Sequence, residues 1–245
     1  MKVFWDEVTI RFMMDASEHS TYNKAIAAWI SQRLPRNVHI CDAGCGLGYL
    51  SLELAKCAQK VTAVDVSRQA LDVLQSNCAA KGIGHIEIRC GDIAQLLPGE
   101  KYDAMVFCMF GDGAEGMRIA KAQCRGDVFM VLRNYPSHRF SVNTHRMEYK
   151  GFREACRLLN ELSVPYESEA LELDMGQPFR SFEDARVFFR RYSRDLETCI
   201  TDAFLECKLQ RTNRDDFPYY MPHKKSVGIL HFKTRDIPQD IEDIQ

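Results

Sequence analysis

The stretch Val38-His-Ile-Cys-Asp-Ala-Gly-Cys-Gly-Leu-Gly-Tyr-Leu-Ser51 constrains this chain more than any other. An apolar strand runs into glycines at alternate positions, Gly44, Gly46 and Gly48, and an amphipathic helix follows. The next apolar run, Val61-Thr-Ala-Val64, ends at Asp65. A strand, a glycine turn, a helix and an acid closing the following strand is how an α/β sheet holds a nucleoside. The glycines let the chain turn sharply into the helix while a ligand lies against the backbone. An acid at the second strand's tip can accept both hydroxyls of a ribose.

The spacing is Gly-x-Gly-x-Gly, not the Gly-x-Gly-x-x-Gly of dinucleotide sites. Asp42 stands just before the first glycine, beside the expected pocket. A carboxylate there repels phosphate and suits an ammonium or a sulfonium. The expected ligand is a nucleoside with a cationic tail, which argues against a nicotinamide dehydrogenase.

Asp42-Ala-Gly-Cys-Gly-Leu-Gly48 resembles the first motif of the class I S-adenosylmethionine-dependent methyltransferases, of the Rossmann-like superfamily. Later segments keep the family's order. Val61–Ser67 is similar to the second-strand motif, Ile86–Ile93 to the third-strand motif with its Gly-Asp pair, and Tyr102–Phe110 to the fourth strand, which faces the methyl group. The resemblance implies S-adenosyl-L-methionine as cofactor and assigns roles. Gly44, Gly46 and Gly48 would shape the methionine side, with Cys45 inside the loop, and Asp42 would hold the amino group. Asp65 would bind the ribose, with Val66 against the adenine. Gly91 and Asp92 would meet the adenine amino group, and Ile93 would pack on the ring. Cys108 would lie near the methionine portion, and Tyr22 would close over the methionine carboxylate.

With 245 residues the chain can bury one substantial core. The expected fold is α/β: a Rossmann-like parallel sheet with a terminal antiparallel strand, an N-terminal helical cap at 1–35, and a helical insertion at 175–225 before the last strand. The cofactor core would be 36–174 plus 226–235. The expected elements are helices over 4–15 and 20–34, strands over 36–42, 60–65, 86–90, 102–109, 127–132, 166–173 and 227–233, and intervening helices over 49–58, 68–81, 115–124, 149–162 and much of 181–210. Ser20 or Thr21 would cap the second helix. The acidic tail after Arg235 would fray.

Net charge is −2, and no basic block stands out, so nucleic acid is not favoured as a partner. Arg186, Arg190, Arg191 and Arg194 alternate with Asp184, Asp195 and Glu197 and read as a solvated, ion-paired helix face. Ten cysteines without a Cys-x-x-Cys pair suit free thiols in the cytoplasm, and metal spacing is absent. No apolar run is long enough to span a membrane. Oligomeric state is left open.

The acceptor would sit beyond the carboxyl ends of the strands. Aromatic segments at 133–140 and 217–223 suit a small, partly apolar molecule. Should the attacking atom carry a proton, His19, Asp112, His138 and His223 are the candidate bases. The Asn-Pro-Pro-Tyr signature of nucleobase and glutamine methylation is missing after the fourth strand. The expected function is methyl transfer to a small molecule in a capped pocket. A protein acceptor, or cofactor binding without catalysis, is the alternative.

Overall fold

The computed structural model describes residues 5–135, 151–192, 200–239 and 241. Two helices, α1 (Glu7–Glu18) and α2 (Tyr22–Ser31), precede the sheet. Strands and helices then alternate: β1 (His39–Ala43), α3 (Tyr49–Leu54), β2 (Lys60–Asp65), α4 (Arg68–Lys81), β3 (Ile86–Cys90), β4 (Tyr102–Cys108), α5 (Gly113–Gln123), β5 (Cys124–Arg133) and α6 (Phe152–Glu161). The chain continues through β6 (Tyr166–Asp174), β7 (Gln177–Phe179), α7 (Phe182–Tyr192), α8 (Asp202–Lys208), β8 (Gln210–Arg211), β9 (Tyr219–Met221) and β10 (Lys224–Lys233).

The main sheet runs in the order β3-β2-β1-β4-β5-β10-β6. Strands β1 to β5 pair in parallel, and β10 is antiparallel to both β5 and β6. This is the expected parallel sheet with a terminal antiparallel strand. Helices cover both faces, so the central strands are buried on both sides and read as continuous apolar runs. Ser67 Oγ accepts from Ala70 N at 3.2 Å and starts α4, and Gly82, at φ +66°, ends it.

The stretch between β6 and β10 departs from a purely helical insertion. It holds α7 and α8, and also a small antiparallel sheet in the order β7-β9-β8. Its strands are two or three residues long and pack Phe179 and Met221 inward. Helix α1 closes this core: Phe12 meets Phe188 at 5.1 Å and Phe179 at 6.2 Å between ring centroids. Arg180 grips buried Asp15 with two bonds of 2.6 and 2.9 Å, and Arg11 reaches Asp184 at 2.6 Å. Helix α1 thus packs with the insertion, whereas α2 packs on the sheet.

Three expectations need correction. Thr21 precedes α2 but makes no side-chain cap bond. The segment after Arg235 does not fray at once: Ile237 and Ile241 are buried in the main core, and Lys121 Nζ donates to Ile237 O at 2.6 Å. Two isoleucines one helical turn apart outweigh the acidic residues around them. Strand β5 begins at Cys124, directly after α5, rather than at Asp127. The arginine face of α7 is ion-paired as expected: Arg186 bonds Asp202 at 2.5 Å and Glu183 at 2.9 Å, and Arg191 bonds Asp6. Arg194 and Asp195 lie outside the described residues.

Candidate cofactor and acceptor site

All the parallel strands end at one edge of the sheet, and the glycine loop leaves β1 there. Main-chain bonds pin the loop to β2: Gly44 N and Cys45 N both donate to Val64 O, at 2.8 and 3.0 Å. Gly44, Gly46 and Gly48 hold φ of +71°, +54° and +72°, a region L side chains rarely adopt. Their missing side chains are used within the chain itself. A Cβ on Gly44 would stand 2.3 Å from the Phe110 ring, and one on Gly46 would stand 2.8 Å from the Trp5 ring. Both aromatics overlie the loop, and neither was foreseen there. Phe110 follows β4, and Trp5 sits in the segment before α1.

Asp65 closes β2 and ties the two halves of the loop together. Its Oδ2 accepts from Gly46 N and its Oδ1 from Ser67 N, each at 2.9 Å. A carboxylate oxygen has a second lone pair, so this geometry leaves acceptor capacity for a diol. Val66, the next residue, is 58 % exposed, an unusual place for a valine on a described surface with few large exposed hydrophobics. Across from it, Gly91 N donates to Asp65 O at 2.9 Å, and exposed Asp92 caps its own turn through Ala94 N at 3.0 Å. Ile93 is buried in the core, so the open apolar face at this end belongs to Val66.

Asp42 lies deeper. It is 1 % exposed, and Ser51 Oγ donates to its Oδ2 at 2.5 Å. Burial raises its pKa to about 6, and the nearby Asp65 charge adds to the shift against the Ser51 bond. Among the described residues no Lys, Arg or His forms an ion pair with it. A buried carboxylate without a cation is a place a cationic ligand stabilises. The residues therefore fit an adenosyl sulfonium: an exposed apolar face for a base, an acid for a diol, and a buried acid lacking a counter-charge.

Cys108 ends β4. Its thiol is pushed up to about 12 by burial and by the charge of Asp42, against a lowering pull from Lys225 and a hydrogen bond from Tyr22. Cys45 is likewise raised by burial, so neither is a ready nucleophile. Tyr22 is buried at the start of α2, and Lys225 Nζ lies 4.6 Å from its ring centroid. Met109, just past Cys108, holds φ +56°, which costs about 1 kcal/mol and aims Phe110 over the glycine loop.

The candidate bases are dispersed. Asp112 Oδ1 accepts from Glu115 N at 3.0 Å as the N-cap of α5. His19 ends α1, with Nδ1 donating to Asp15 O at 2.8 Å and its ring edge-on to Phe217 at 4.7 Å. The main chain of His223 accepts from Met175 N at 2.8 Å. His138 lies outside the described residues. Lys225 was missed because the polar run before Val227 gives no strand signal, although β10 starts at Lys224.

Residues 40–122 match the family model described as a methyltransferase domain. A protein named as an uncharacterized RNA methyltransferase from Parasynechococcus marenigrum is 32% identical over 90 residues, which cover 36% of this chain and 19% of that protein. Malonyl-[acyl-carrier protein] O-methyltransferase of Bacillus cereus is 24% identical over 184 residues, 70% of this chain and 61% of that protein. The chain thus spans less than two thirds of either relative's length. A solved structure from Bacillus halodurans superposes with a TM-score of 0.54 at 16% identity, over 86% of this chain and 97% of that one, which shows the shared fold.

Proposed function

Because the chain carries a class I, Rossmann-like methyltransferase domain, we propose that it transfers a methyl group from S-adenosylmethionine to a small-molecule acceptor. The observation that carries this reading is the Asp65 carboxylate bonded to Gly46 N beside the exposed Val66, with Asp42 buried behind the loop. S-adenosylmethionine, when bound, supplies a methyl group already activated on a sulfonium. The chain's task is then placement and exclusion of water. Asp65 takes the ribose hydroxyls, Val66 covers one face of the adenine, and Asp92 accepts from its amino group. Asp42 holds the ammonium. Gly44, Gly46 and Gly48 keep the backbone low enough for the methionine side, and Tyr22 borders it.

The cofactor core is 36–174 with 226–235, and 175–225 together with α1 forms the cap over the acceptor. The cap's aromatic core and the net charge of −2 favour a small molecule over RNA. Relatives named for an RNA and for an acyl-carrier substrate leave the acceptor class to experiment. Among the described residues no helix is long and apolar enough to cross a membrane, and the described cysteines are all free, which suits the cytoplasm.

Calorimetry with S-adenosylmethionine and with its thioether product tests the reading. Binding of both is expected, and Asp65→Ala is expected to weaken it by about 2 kcal/mol, the worth of a charged hydrogen-bond pair. A folded protein that binds neither compound refutes the reading. Undiminished binding by Asp65→Ala refutes the role of Asp65.

A further inference from the structure

Helix α1 is anchored at both ends. At its start Asp6 Oδ1 accepts from Thr9 N at 2.8 Å, and Asp6 Oδ2 pairs with Arg191 of α7. At its finish Glu18 Oε1 accepts from Tyr49 Oη, on the first residue of α3, at 2.8 Å. Trp5, the residue before Asp6, is thereby held over Gly46. The indole stands on its edge there. Measured from the Cβ position of Gly46, its Cζ2, Cη2 and Cε2 lie at 2.8, 3.4 and 3.7 Å. An edge aimed at the loop spaces ring atoms in this way, whereas a ring lying flat would hold the two outer atoms almost level with the first. The indole rises from the backbone as a wall, with its faces turned along the surface of the loop.

Packing does not account for this tryptophan. It is half-buried and, among the described residues, it joins none of the four apolar cores. Phe110, over Gly44, differs: it packs against the main core and stacks on Phe107 at 6.4 Å between ring centroids. The donor, as read above, brings two cations to this loop. Asp42 answers the ammonium. The sulfonium carries three carbons on sulfur and no N–H or O–H, so it cannot donate an ordinary hydrogen bond. An aromatic face is a partner it can use, and indole is the strongest of the natural ones.

Resting on the methyl-transfer reading, we propose that the face of Trp5 receives the sulfonium of the donor, which makes Trp5 the residue that tells donor from spent product. The ring's negative face attracts the charge on sulfur. When the methyl group leaves, the electron pair of the S–C bond stays on sulfur and the charge is gone. The thioether then loses the attraction to the ring while keeping the contacts at Asp42, Asp65 and Val66. The wall thus favours loading of the donor and departure of the product. Because Trp5 leads directly into α1, the same residue joins the donor loop to the cap.

Calorimetry on the full chain compares S-adenosylmethionine with its thioether product, S-adenosylhomocysteine. The wild type is expected to bind the sulfonium about ten-fold tighter, the effect of one desolvated cation–π contact. Trp5→Leu is expected to bring the two affinities within about two-fold of each other, through loss on the donor's side, and Trp5→Phe to keep part of the preference. The same titrations on protein grown with singly and doubly fluorinated tryptophan keep the ring's shape while draining its face of negative charge. Donor affinity should fall stepwise, and thioether affinity should hold. Trp29, the other tryptophan, is buried in the sheet core and would shift both affinities alike. No preference in the wild type overturns the proposal. So does a preference that survives Trp5→Leu, or a fluorination series that leaves donor affinity unchanged. Equal weakening of both compounds by Trp5→Leu makes the indole a plain apolar wall, equal tightening makes it an obstruction, and either overturns the proposal too. A wild type that binds neither compound is a different result, and sinks the methyl-transfer reading together with the proposal.

Discussion

Residues 39–108 hold their part of the site largely through main-chain groups, with the Asp65 carboxylate as their side-chain anchor. Gly44 N, Cys45 N and Gly46 N are all fixed to the β2 tip, and three glycines with positive φ set the path. The cap is held by side chains. Phe12, Phe179, Phe188 and Met221 fill its core, and Arg180, Arg11 and Arg186 clamp its elements to acids on neighbouring segments. Main-chain geometry tolerates almost no change at a few positions and is indifferent to the rest. Side-chain packing tolerates modest change anywhere and drifts in shape. On the proposed function, a shared methyl donor suits the first kind of construction, and an acceptor that differs among relatives suits the second.

The sharpest way to break this contrast is Phe188→Ala. Removing a fully buried ring from a small core is expected to destabilise the cap by about 4 kcal/mol. Hydrogen exchange should then show early opening of α1, α7 and β7, while affinity for the thioether product changes little. Equal losses in both would mean that the two regions form one cooperative unit. Next in size is Gly44→Val. A β-branched side chain at φ +71°, set against Phe110, is expected to cost about 3 kcal/mol and to abolish cofactor binding, seen as a lowered urea midpoint and no calorimetric heat. The cap core, read by the same exchange experiment, should stay protected.

The smallest effect concerns pH. Asp42 has its pKa raised to about 6 by burial, so in the free protein it is largely protonated below that value. A raised carboxylate makes the folded state relatively more stable at low pH, and that contribution is lost as pH rises through about 6. A cationic ligand prefers the ionised form, so S-adenosylmethionine affinity should rise about ten-fold between about pH 5 and pH 7. Asp42→Asn should flatten that slope. A wild-type affinity that falls with rising pH would remove Asp42 from the ammonium site.

The central strands were legible because burial on both faces leaves nothing but apolar residues between turn signals. Strands β2 and β3 and helix α4 match their expected bounds residue for residue, marked at their ends by Asp65, Ser67 and Gly82. The glycine loop and the Asp65 strand end were legible for a related reason, since glycines and a strand-end acid leave a spacing in the sequence. The cap strands were not. Each is too short for alternation to register, and Pro178 and Pro218 read as breaks. Ile237 and Ile241 were lost among acids, although their spacing fits a buried turn. Trp5 meets Gly46, and Lys225 meets Tyr22 and Met175, only because segments remote in sequence come together there. No local pattern records such a meeting.

The bond from Gln177 Nε2 to Phe12 O joins residues 165 apart, and it lies inside the core that α1 completes. During synthesis α1 leaves the ribosome 165 residues ahead of Gln177 and cannot find its seat until the insertion follows. At ordinary elongation rates that interval is roughly ten to thirty seconds. Throughout it an amphipathic helix waits with Phe12 facing water. A circularly permuted chain that begins after β6 and joins α1 behind the insertion would shorten the wait, and should refold faster with less aggregation.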